Sequence, residues 1–166
     1  MIHILGEKSN SKLTNVKEGD SQPNAVDLRL GKVFKINNKA FEISEEYKSH
    51  RGTEEVQPTT DGWYNLEEGT YEVVMENIVT VGTDEAGWVI TRSTLNRNGV
   101  FITSGLYDSG YNGVMAGAMH VRSGPVSIQK GTRIAQFLLF KAESLTQYSG
   151  SYGLNSEHDK KYNKEK

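Results

Sequence analysis

Apolar and polar residues alternate with a period of two along most of the chain, which is the spacing of side chains on one face of a β-strand. Short runs rich in Val, Ile, Phe and Tyr carry this pattern, and glycine-containing turns separate them at intervals of about 8–12 residues. The clearest predicted strands are residues 70–82, 87–93, 99–107, 113–121 and 133–142. Many short strands at this spacing predict an all-β domain built as a sandwich, a jelly roll or a small barrel.

One stretch in the body of the chain, TRSTLNRNG at residues 91–99, has the composition of a short helix. Ser93 or Thr94 is a suitable N-cap, and Gly99 is a suitable terminator. The sequence therefore predicts one helical turn between two strands.

Two segments have the composition of peripheral structure. Residues 37–61 are strongly charged, contain Pro58, and predict a strand followed by a long exposed loop. Residues 148–166 contain almost no aliphatic side chain and end in alternating charge, which is typical of a loosely attached terminus. We therefore predict a single β domain over residues 1–147 and a C-terminal tail over residues 148–166.

Charge and cysteine content exclude several classes of function. Nineteen Lys and Arg residues against 21 Asp and Glu residues give a net charge of −2, which provides no basic field for duplex nucleic acid. The chain has no cysteine, which excludes a disulfide framework, a thiolate nucleophile and a Cys-ligated zinc site. No apolar run approaches the ~18 residues of a membrane span, and the N-terminal residues lack the features of a signal peptide. We expect a soluble, cytoplasmic protein that binds neither nucleic acid nor membrane.

Side chains suited to phosphate binding are concentrated in the predicted helical turn. Arg92, Ser93 and Arg97 place two guanidinium groups and a hydroxyl beside helical N–H groups. Phosphate oxygens accept hydrogen bonds from all of these donors. An ordinary polar surface turn has the same composition, so both interpretations stay open.

Asp108 is the single charged residue of the run GLYDSGYNG, residues 105–113. One interpretation is an Asx turn, since Asp is common at the first position of glycine-containing turns. The other is a catalytic carboxylate, and Tyr111 three residues later offers an aromatic face that could cover a flat ring.

Two further polar residues lie in apolar surroundings. Gln136 is a lone amide in the run RIAQFLLF, where it is either a satisfied interior group or a ligand contact at a strand end. Asp27, in the run QPNAVDLRLG, is either a structural ion-pair partner or a residue near a bound metal–phosphate group.

The four segments QPNAVDLRLG, GWVITRSTLNRNGV, TSGLYDSGYNG and KGTRIAQFLLF, in this order, resemble the motifs of the dUTPase/dCTP deaminase superfamily. The resemblance extends from Gln22 to Tyr162 and is closer to the dCTP deaminase branch and its archaeal and viral dUTPase relatives than to ordinary trimeric dUTPases. It implies a dUTPase-like distorted jelly roll or β-barrel, a homotrimer with active sites at subunit interfaces, and a deoxynucleoside triphosphate as the ligand.

The same resemblance implies a role for each matching residue. Asp108 would position the attacking water, and Mg²⁺ would enter with the triphosphate, without a direct protein ligand and close to Asp27. The residues matching phosphate contacts are Arg92, Ser93, Arg97, Gln136 and Lys161. The residues matching nucleoside contacts are Thr103, Ser104, Gly105, Tyr111 and Tyr152, with Tyr111 under the deoxyribose. The tail would act as a lid, although it lacks the Arg and Phe of the glycine-rich tail of ordinary dUTPases.

The two activities of the superfamily need different carboxylates. Hydrolysis of dUTP needs the one that Asp108 matches, whereas deamination without zinc uses a glutamate ten residues further on, where this chain has Ala118. Asp108 is also the only carboxylate between residues 107 and 141. The resemblance therefore implies hydrolysis of dUTP to dUMP and pyrophosphate with Mg²⁺.

Three alternatives remain open at this point. The protein could be a dCTP deaminase, or a bifunctional enzyme, that uses a different acid–base group. It could be a nucleotide-binding or regulatory protein without catalysis. Its substrate could also be a modified pyrimidine nucleotide, because recognition of the ring by backbone groups tolerates a substituent.

Overall fold

Twelve β-strands, one α-helix and one 3₁₀ helix form the regular structure of residues 1–154 and 156–163, the part of the chain that the computed structural model describes. The strands are β1 (Lys12–Leu13), β2 (Val26–Ile36), β3 (Glu42–Ile43), β4 (Lys48–Ser49), β5 (Thr53–Glu55), β6 (Trp63–Leu66), β7 (Gly69–Thr80), β8 (Glu85–Thr91), β9 (Val100–Thr103), β10 (Asn112–Val121), β11 (Val126–Gln129) and β12 (Arg133–Lys141). The helix α1 covers Ser93–Arg97, and the 3₁₀ helix covers Asp159–Asn163. The predicted all-β class is confirmed, and the five strands predicted from the periodicity correspond to β7, β8, β9, β10 and β12.

An antiparallel sheet of eight strands forms the body of the described chain. Its order is β8-β12-β2-β7-β10-β9, with β1 added to β7 and β5 added to β2. Two small two-stranded sheets, β6–β11 and β3–β4, complete the structure. The sheet curls until its two edge strands, β8 and β9, approach each other, which gives the barrel-like form expected from the resemblance.

Side chains bridge the seam between these two edge strands. The hydroxyl of Thr91 accepts a hydrogen bond from the Ile102 amide at 2.7 Å and donates to the Ile102 carbonyl at 3.0 Å. Further along the seam, the backbones of Gly87 and Tyr107 exchange hydrogen bonds of 2.9 and 2.8 Å. The barrel is therefore closed by isolated bridges, in place of a continuous ladder.

The apolar core fills the interior of the curled sheet. Val26, Leu28 and Leu30 on the central strand β2 are completely buried, and Phe137 of β12 packs against the same core. Gly87 has no room for a side chain, because a Cβ there would lie 2.0 Å from the Phe137 ring. Burial of these side chains supplies the main driving force for folding.

The N-cap of helix α1 lies one residue before the first of the two predicted cap residues. Arg92 occupies the N-cap position in an extended conformation, with no side-chain capping hydrogen bond. The prediction that Ser93 or Thr94 caps the helix is therefore wrong, because both residues already lie inside it. Gly99 ends the helix as predicted, with a φ of +71° that favours glycine.

Residues 37–61 and the tail are more ordered than their composition suggests. The predicted long loop contains the hairpin β3–β4 and the strand β5, which pairs with β2. The described part of the tail folds back onto the sheet, where the Leu154 amide donates to the Asn112 carbonyl at 3.0 Å and Tyr162 is buried against Phe34. Neither helical segment of residues 1–154 and 156–163 is long and apolar enough to span a membrane. Residues 155 and 164–166 of the predicted tail lie outside the described residues.

Candidate active site

Asp27 is completely buried and gathers three polar side chains around its carboxylate. Gln136 donates from Nε2 to Oδ1 at 3.0 Å, and Arg133 donates from Nη1 to Oδ2 at 3.3 Å. Arg92 completes the group with its Nε 3.6 Å from Oδ1. We call these four residues the arginine cluster. A buried carboxylate is tolerated only with such partners, since an unpaired charge in the interior is strongly unfavourable.

The sheet register places the members of the arginine cluster together. Gln136 on β12 lies directly opposite Asp27 on β2, Arg133 is the first residue of β12, and Arg92 follows the end of β8. The two arginine side chains remain 30% and 35% exposed. Arg92 also donates from Nη1 to the Arg133 carbonyl at 3.4 Å, and Arg133 donates from Nη1 to the Gly19 carbonyl at 2.8 Å. Each guanidinium has five N–H donors, so further donors of both arginines remain that could bind an anion such as a phosphate.

The structure brings together only some of the predicted phosphate-binding residues. Arg92 and Gln136 belong to the arginine cluster, and Ser93 follows Arg92 directly. Arg97 lies exposed in the last turn of α1 and forms no ion pair with any residue that the structure describes. Arg133 was missed by the sequence reasoning, although a charged residue at the first position of an apolar strand was a usable signal.

A second group of predicted residues surrounds the turn at residues 108–111. The Asp108 carbonyl accepts from the Tyr111 amide at 3.0 Å, and Gly110 provides the positive φ of +84°. An Asx turn is not formed, because the Gly110 amide donates to the Val81 carbonyl instead. The Asp108 side chain is exposed and has no hydrogen bond or ion pair within residues 1–154 and 156–163. Its carboxylate is therefore available to bind a water molecule.

Tyr111 is fixed beneath this turn. Its hydroxyl donates to the Val114 carbonyl at 2.8 Å, and its ring meets Tyr107 and Tyr148 edge-on, each with centroids 5.3 Å apart. Burial raises the pKa of the Tyr111 hydroxyl. Gly113 has no side chain because a Cβ there would lie 2.6 Å from that hydroxyl. The ring is a rigid platform, and Tyr148 of the tail lies against it.

A cleft of about 1020 Å³ opens between the β9–β10 connection, residues 34–53 and the tail. Small residues of β10, Ala116, Gly117 and Ala118, line it together with Gly105. Aromatic and imidazole side chains from the other two segments line it as well: Phe34, Phe41, His50, Tyr152 and His158. The cleft has the mixed apolar and polar lining that is common in small-molecule sites.

The three predicted nucleoside-binding residues before the turn differ in placement. Gly105 lines the cleft, has no positive φ, and a Cβ there would meet nothing within 4 Å. The Ser104 hydroxyl accepts from the Val89 amide at 3.4 Å and donates to the Gly105 carbonyl at 2.9 Å, so it supports the backbone. Thr103 is exposed beside His120 and is not among the residues that line the cleft. The open space at Gly105 leaves room for a ligand to approach the backbone.

Lys161 lies in the cleft, bound to a carboxylate that sequence reasoning missed. Its Nζ is 2.9 Å from Oε1 of Glu72, and the Tyr162 hydroxyl donates to the same carboxylate. Glu72 on β7 is the ladder partner of Ala118, so both residues lie on one face of the sheet. No signal in the segment around Asp108 could reveal Glu72, because it comes from a different strand.

The arginine cluster and the Asp108 turn lie at opposite ends of β8. Gly87 near the start of β8 bridges to Tyr107, whereas Arg92 follows the other end. Gly87 and Arg92 are five positions apart along the extended strand, which is roughly 16 Å at the usual rise. The arginine cluster and the Asp108 turn are therefore two separate groups on this chain, which we call the half-sites.

The fold is similar to the folds of a dCTP deaminase and of a dUTPase whose structures have been solved. It is similar to the crystal structure of 2'-deoxycytidine 5'-triphosphate deaminase from Agrobacterium tumefaciens, with a TM-score of 0.61 and 19% sequence identity. That match covers 78% of this chain and 42% of the deaminase chain, so the aligned region is less than half of that enzyme. It is also similar to the dUTPase of phage phi11 of S. aureus, with a TM-score of 0.51 and 11% identity over 88% of this chain and 99% of that one.

The sequence defines the family more closely. The family model described as DCD, dCTP deaminase-like, matches residues 2–142, and this chain belongs to that family. A relative from Halobacterium salinarum named "Probable deoxyuridine 5'-triphosphate nucleotidohydrolase" is 30% identical over 142 residues. The alignment covers 82% of this chain and 85% of the relative. The superfamily inferred from the four sequence motifs is thereby confirmed.

Proposed function

We propose that this protein is a dUTP diphosphatase, which hydrolyses dUTP to dUMP and pyrophosphate. The observation that carries the proposal is the exposed carboxylate of Asp108, which has no partner among the described residues and follows Tyr107, a residue that lines the cleft. Ala118 in the same cleft offers no proton-transfer group. The name of the Halobacterium salinarum relative supports the same reaction.

The chemistry follows from the properties of these side chains. Asp108 would accept a hydrogen bond from a water molecule and orient it towards the α-phosphorus, and the bond between that phosphorus and the bridging oxygen to the β-phosphate would break. Arg92 and Arg133 would stabilise the charge that develops on the departing pyrophosphate, with Gln136 as a further donor. Tyr111 would support the deoxyribose, and backbone groups around Gly105 would read the uracil.

The described residues fit a magnesium ion that enters with the substrate. Both Asp27 oxygens are already bound by the arginine cluster, and residues 1–154 and 156–163 contain no group of three potential ligands arranged around a metal. Mg²⁺ held by the triphosphate would neutralise phosphate charge and polarise the reacting bond. A structural Mg(II) ion is part of the similar phage phi11 dUTPase. For this protein we propose Mg²⁺ as the cofactor, carried by the substrate oxygens.

We also propose that the active site combines more than one copy of the chain, in a homotrimer. The separation of the arginine cluster from Asp108 along β8 supports this assembly, because the two half-sites of one chain lie near opposite ends of that strand. A symmetric oligomer would bring the Asp108 turn of one protomer to the arginine cluster of its neighbour. A cytoplasmic location fits a chain without cysteine, which needs no oxidising compartment.

A second candidate function is deamination of dCTP, and Glu72 is the observation that favours it. This carboxylate is the ladder partner of Ala118 and lines the same cleft, so an acid–base group exists near the missing one. Its contacts with Lys161 and Tyr162 weigh against this role, since they occupy the carboxylate.

One experiment distinguishes these functions. The purified protein is incubated with Mg²⁺ and each deoxynucleoside triphosphate in turn, and nucleotides and ammonia are measured. We expect dUMP and pyrophosphate from dUTP. Ammonia released from dCTP would establish deamination, and tight binding of dUTP without turnover would indicate a regulatory protein.

A further inference from the structure

The turn that carries Asp108 is fastened to the loop at residues 81–84 by discrete hydrogen bonds. The Gly110 amide donates to the Val81 carbonyl at 3.1 Å, and the Val81 amide donates to the Tyr111 carbonyl at 2.8 Å. The Ser109 hydroxyl donates to the Gly82 carbonyl at 3.1 Å and accepts from the Asp84 amide at 3.2 Å. Ser109 is only 3% exposed, so these bonds are protected from water. The tail and Gln147 before it hold the same residue, since the Tyr148 amide donates to the Ser109 carbonyl at 2.7 Å and Gln147 Nε2 donates to the Ser109 hydroxyl at 3.3 Å. The position of the turn therefore depends on this loop together with the tail.

The loop is itself fastened to the N-terminal segment. The Gly82 amide donates to the Ser11 hydroxyl at 2.9 Å. A Cβ at Gly82 would lie 2.7 Å from the Cβ of Asn10, so the two segments are in direct contact. Ser11 thus lies between the loop and the next group inward, which is Glu85.

Glu85 is a completely buried carboxylate that accepts three hydrogen bonds. Its Oε1 accepts from the Asn10 amide at 2.9 Å and from the Lys141 ammonium at 2.7 Å, and its Oε2 accepts from the Ser11 hydroxyl. Burial raises the pKa of Glu85, but the bonds from Lys141, Ser11 and Asn10 outweigh burial and leave it below the ordinary value. The group is therefore an anion, and an anion can only accept.

Because the Glu85 carboxylate can only accept, it fixes which group donates in the hydrogen bonds that link it through Ser11 to Gly82. Because Ser11 must donate to Glu85, its oxygen is left to accept from the Gly82 amide. This hydrogen bond from the Gly82 amide holds the loop at residues 81–84, and the loop in turn holds Ser109, which is next to Asp108 in the chain. A glutamine at position 85 would use its oxygen for Asn10 and Lys141 and turn its amide group towards Ser11, which removes the acceptor that orients the hydroxyl.

We propose that Glu85 is a positioning residue for Asp108, acting through Ser11, Gly82 and Ser109. The proposal rests on the proposed hydrolysis of dUTP, in which Asp108 orients the attacking water. Glu85 itself lies in the interior, touches no substrate group and takes no part in the reaction.

The test compares Glu85→Gln with a matched control, Glu76→Gln. Glu76 also forms a lysine pair, with Lys17 at 3.1 Å, but its side chain is 24% exposed and it lies within β7, outside the loop and the turn. We expect Glu85→Gln to lower kcat by about tenfold or more, since small displacements of a catalytic group are costly, while KM stays within about twofold. Amide hydrogen exchange at residues 81–84 and 108–111 should quicken in this variant alone. An unchanged kcat with unchanged exchange would overturn the proposal, as would equal effects of the two substitutions.

A second variant covers the outcome in which Glu85→Gln fails to fold. Ser11→Ala removes the link to Gly82 but keeps the buried carboxylate with Lys141. We expect the same fall in kcat and the same local increase in exchange, and wild-type values for both would refute the role of Glu85. If the wild-type protein releases no dUMP, the proposed function fails, whereas the exchange measurement still decides whether Glu85 holds the turn.

Discussion

Gln136 and Asp27 occupy directly opposed positions on β12 and β2 and are joined by a hydrogen bond of 3.0 Å from Nε2 to Oδ1. The same carboxylate holds Arg133 and lies 3.6 Å from Arg92. One buried acid therefore orients three side chains, two from β12 and one from the residue that follows β8. In the proposed mechanism Asp27 organises the phosphate-binding side chains, and both of its oxygens already have protein partners.

We expect Asp27→Asn to weaken both the fold and substrate binding. The amide would point a donor at side chains that are donors themselves, and breaking a fully buried ion pair costs about 3–5 kcal/mol. The cost here should be at the low end, because the arginine side chains are 30% and 35% exposed. Thermal unfolding and the KM for dUTP measure the two effects.

Asp20→Asn is the matched control for that variant. Asp20 is also completely buried and its carboxylate pairs with an arginine outside the cluster, Arg29, whereas its contact with Asp27 is through the backbone and is kept in the variant. This substitution should lower stability but leave KM unchanged. A similar rise in KM in both variants would show that the anion site depends on general stability.

Asp108→Asn should lower kcat by about 10²-fold or more, while dUTP still binds, because an amide orients a water molecule poorly for attack. Stability should not change, since the carboxylate has no partner among the described residues. Asp61→Asn, at another exposed aspartate, is the control. A retained kcat in Asp108→Asn would assign the positioning of water to another group.

Gly105→Ala should fold normally but bind nucleotide less well. A Cβ at this position meets nothing within 4 Å, so any effect on KM reports the approach of a ligand. The contrasting variant is Gly113→Ala, whose Cβ would clash with the Tyr111 hydroxyl and should lower the thermal midpoint. An unchanged KM in Gly105→Ala would place the nucleotide elsewhere in the cleft.

The lowered pKa of Glu85 leads to a prediction about the stability of the fold at low pH. Its folded pKa lies below the ordinary value of 4.5, so its contribution to stability is present above that value and is lost as the pH falls through the lower folded pKa. The thermal midpoint of the wild-type protein should therefore fall more steeply below about pH 4.5 than that of Glu85→Gln. Parallel curves for the two proteins would contradict the depressed pKa.

The local features of this structure could be predicted from the sequence. Period-two alternation was enough for β7, β8, β10 and β12, because each has one strongly apolar face. The hairpin β3–β4 was not predicted, because its strands are two residues long and all exposed, so no apolar face marks them. Arg92 and Asp108 were identifiable from motif order, since each lies in a short characteristic run.

What the sequence could not supply is contact between distant strands. Glu72 faces Ala118 only through the register of β7 and β10, 46 residues apart in the chain. The Glu85 side chain is linked to the loop beside the Asp108 turn through Ser11, and such a chain of hydrogen bonds has no sequence pattern. Both contacts are set by pairing between segments that are distant in the sequence. The composition or periodicity of a single segment does not predict such pairing.

The proposed assembly predicts that two inactive variants restore each other. Asp108→Asn removes the water-positioning carboxylate, and Arg92→Gln removes a phosphate-binding guanidinium while keeping a donor for Asp27. If each site takes Asp108 from one protomer and Arg92 from its neighbour, some mixed oligomers contain an intact site. Random assembly from equal amounts should restore about a quarter of the wild-type activity per site, because both partners must be of the right kind. Measuring dUMP release after co-expression, with separately purified and unmixed variants as controls, tests this. Activity no higher than that of the separate variants would mean that one protomer supplies both residues, and the separation of the two half-sites along β8 would then have to be bridged within a single chain.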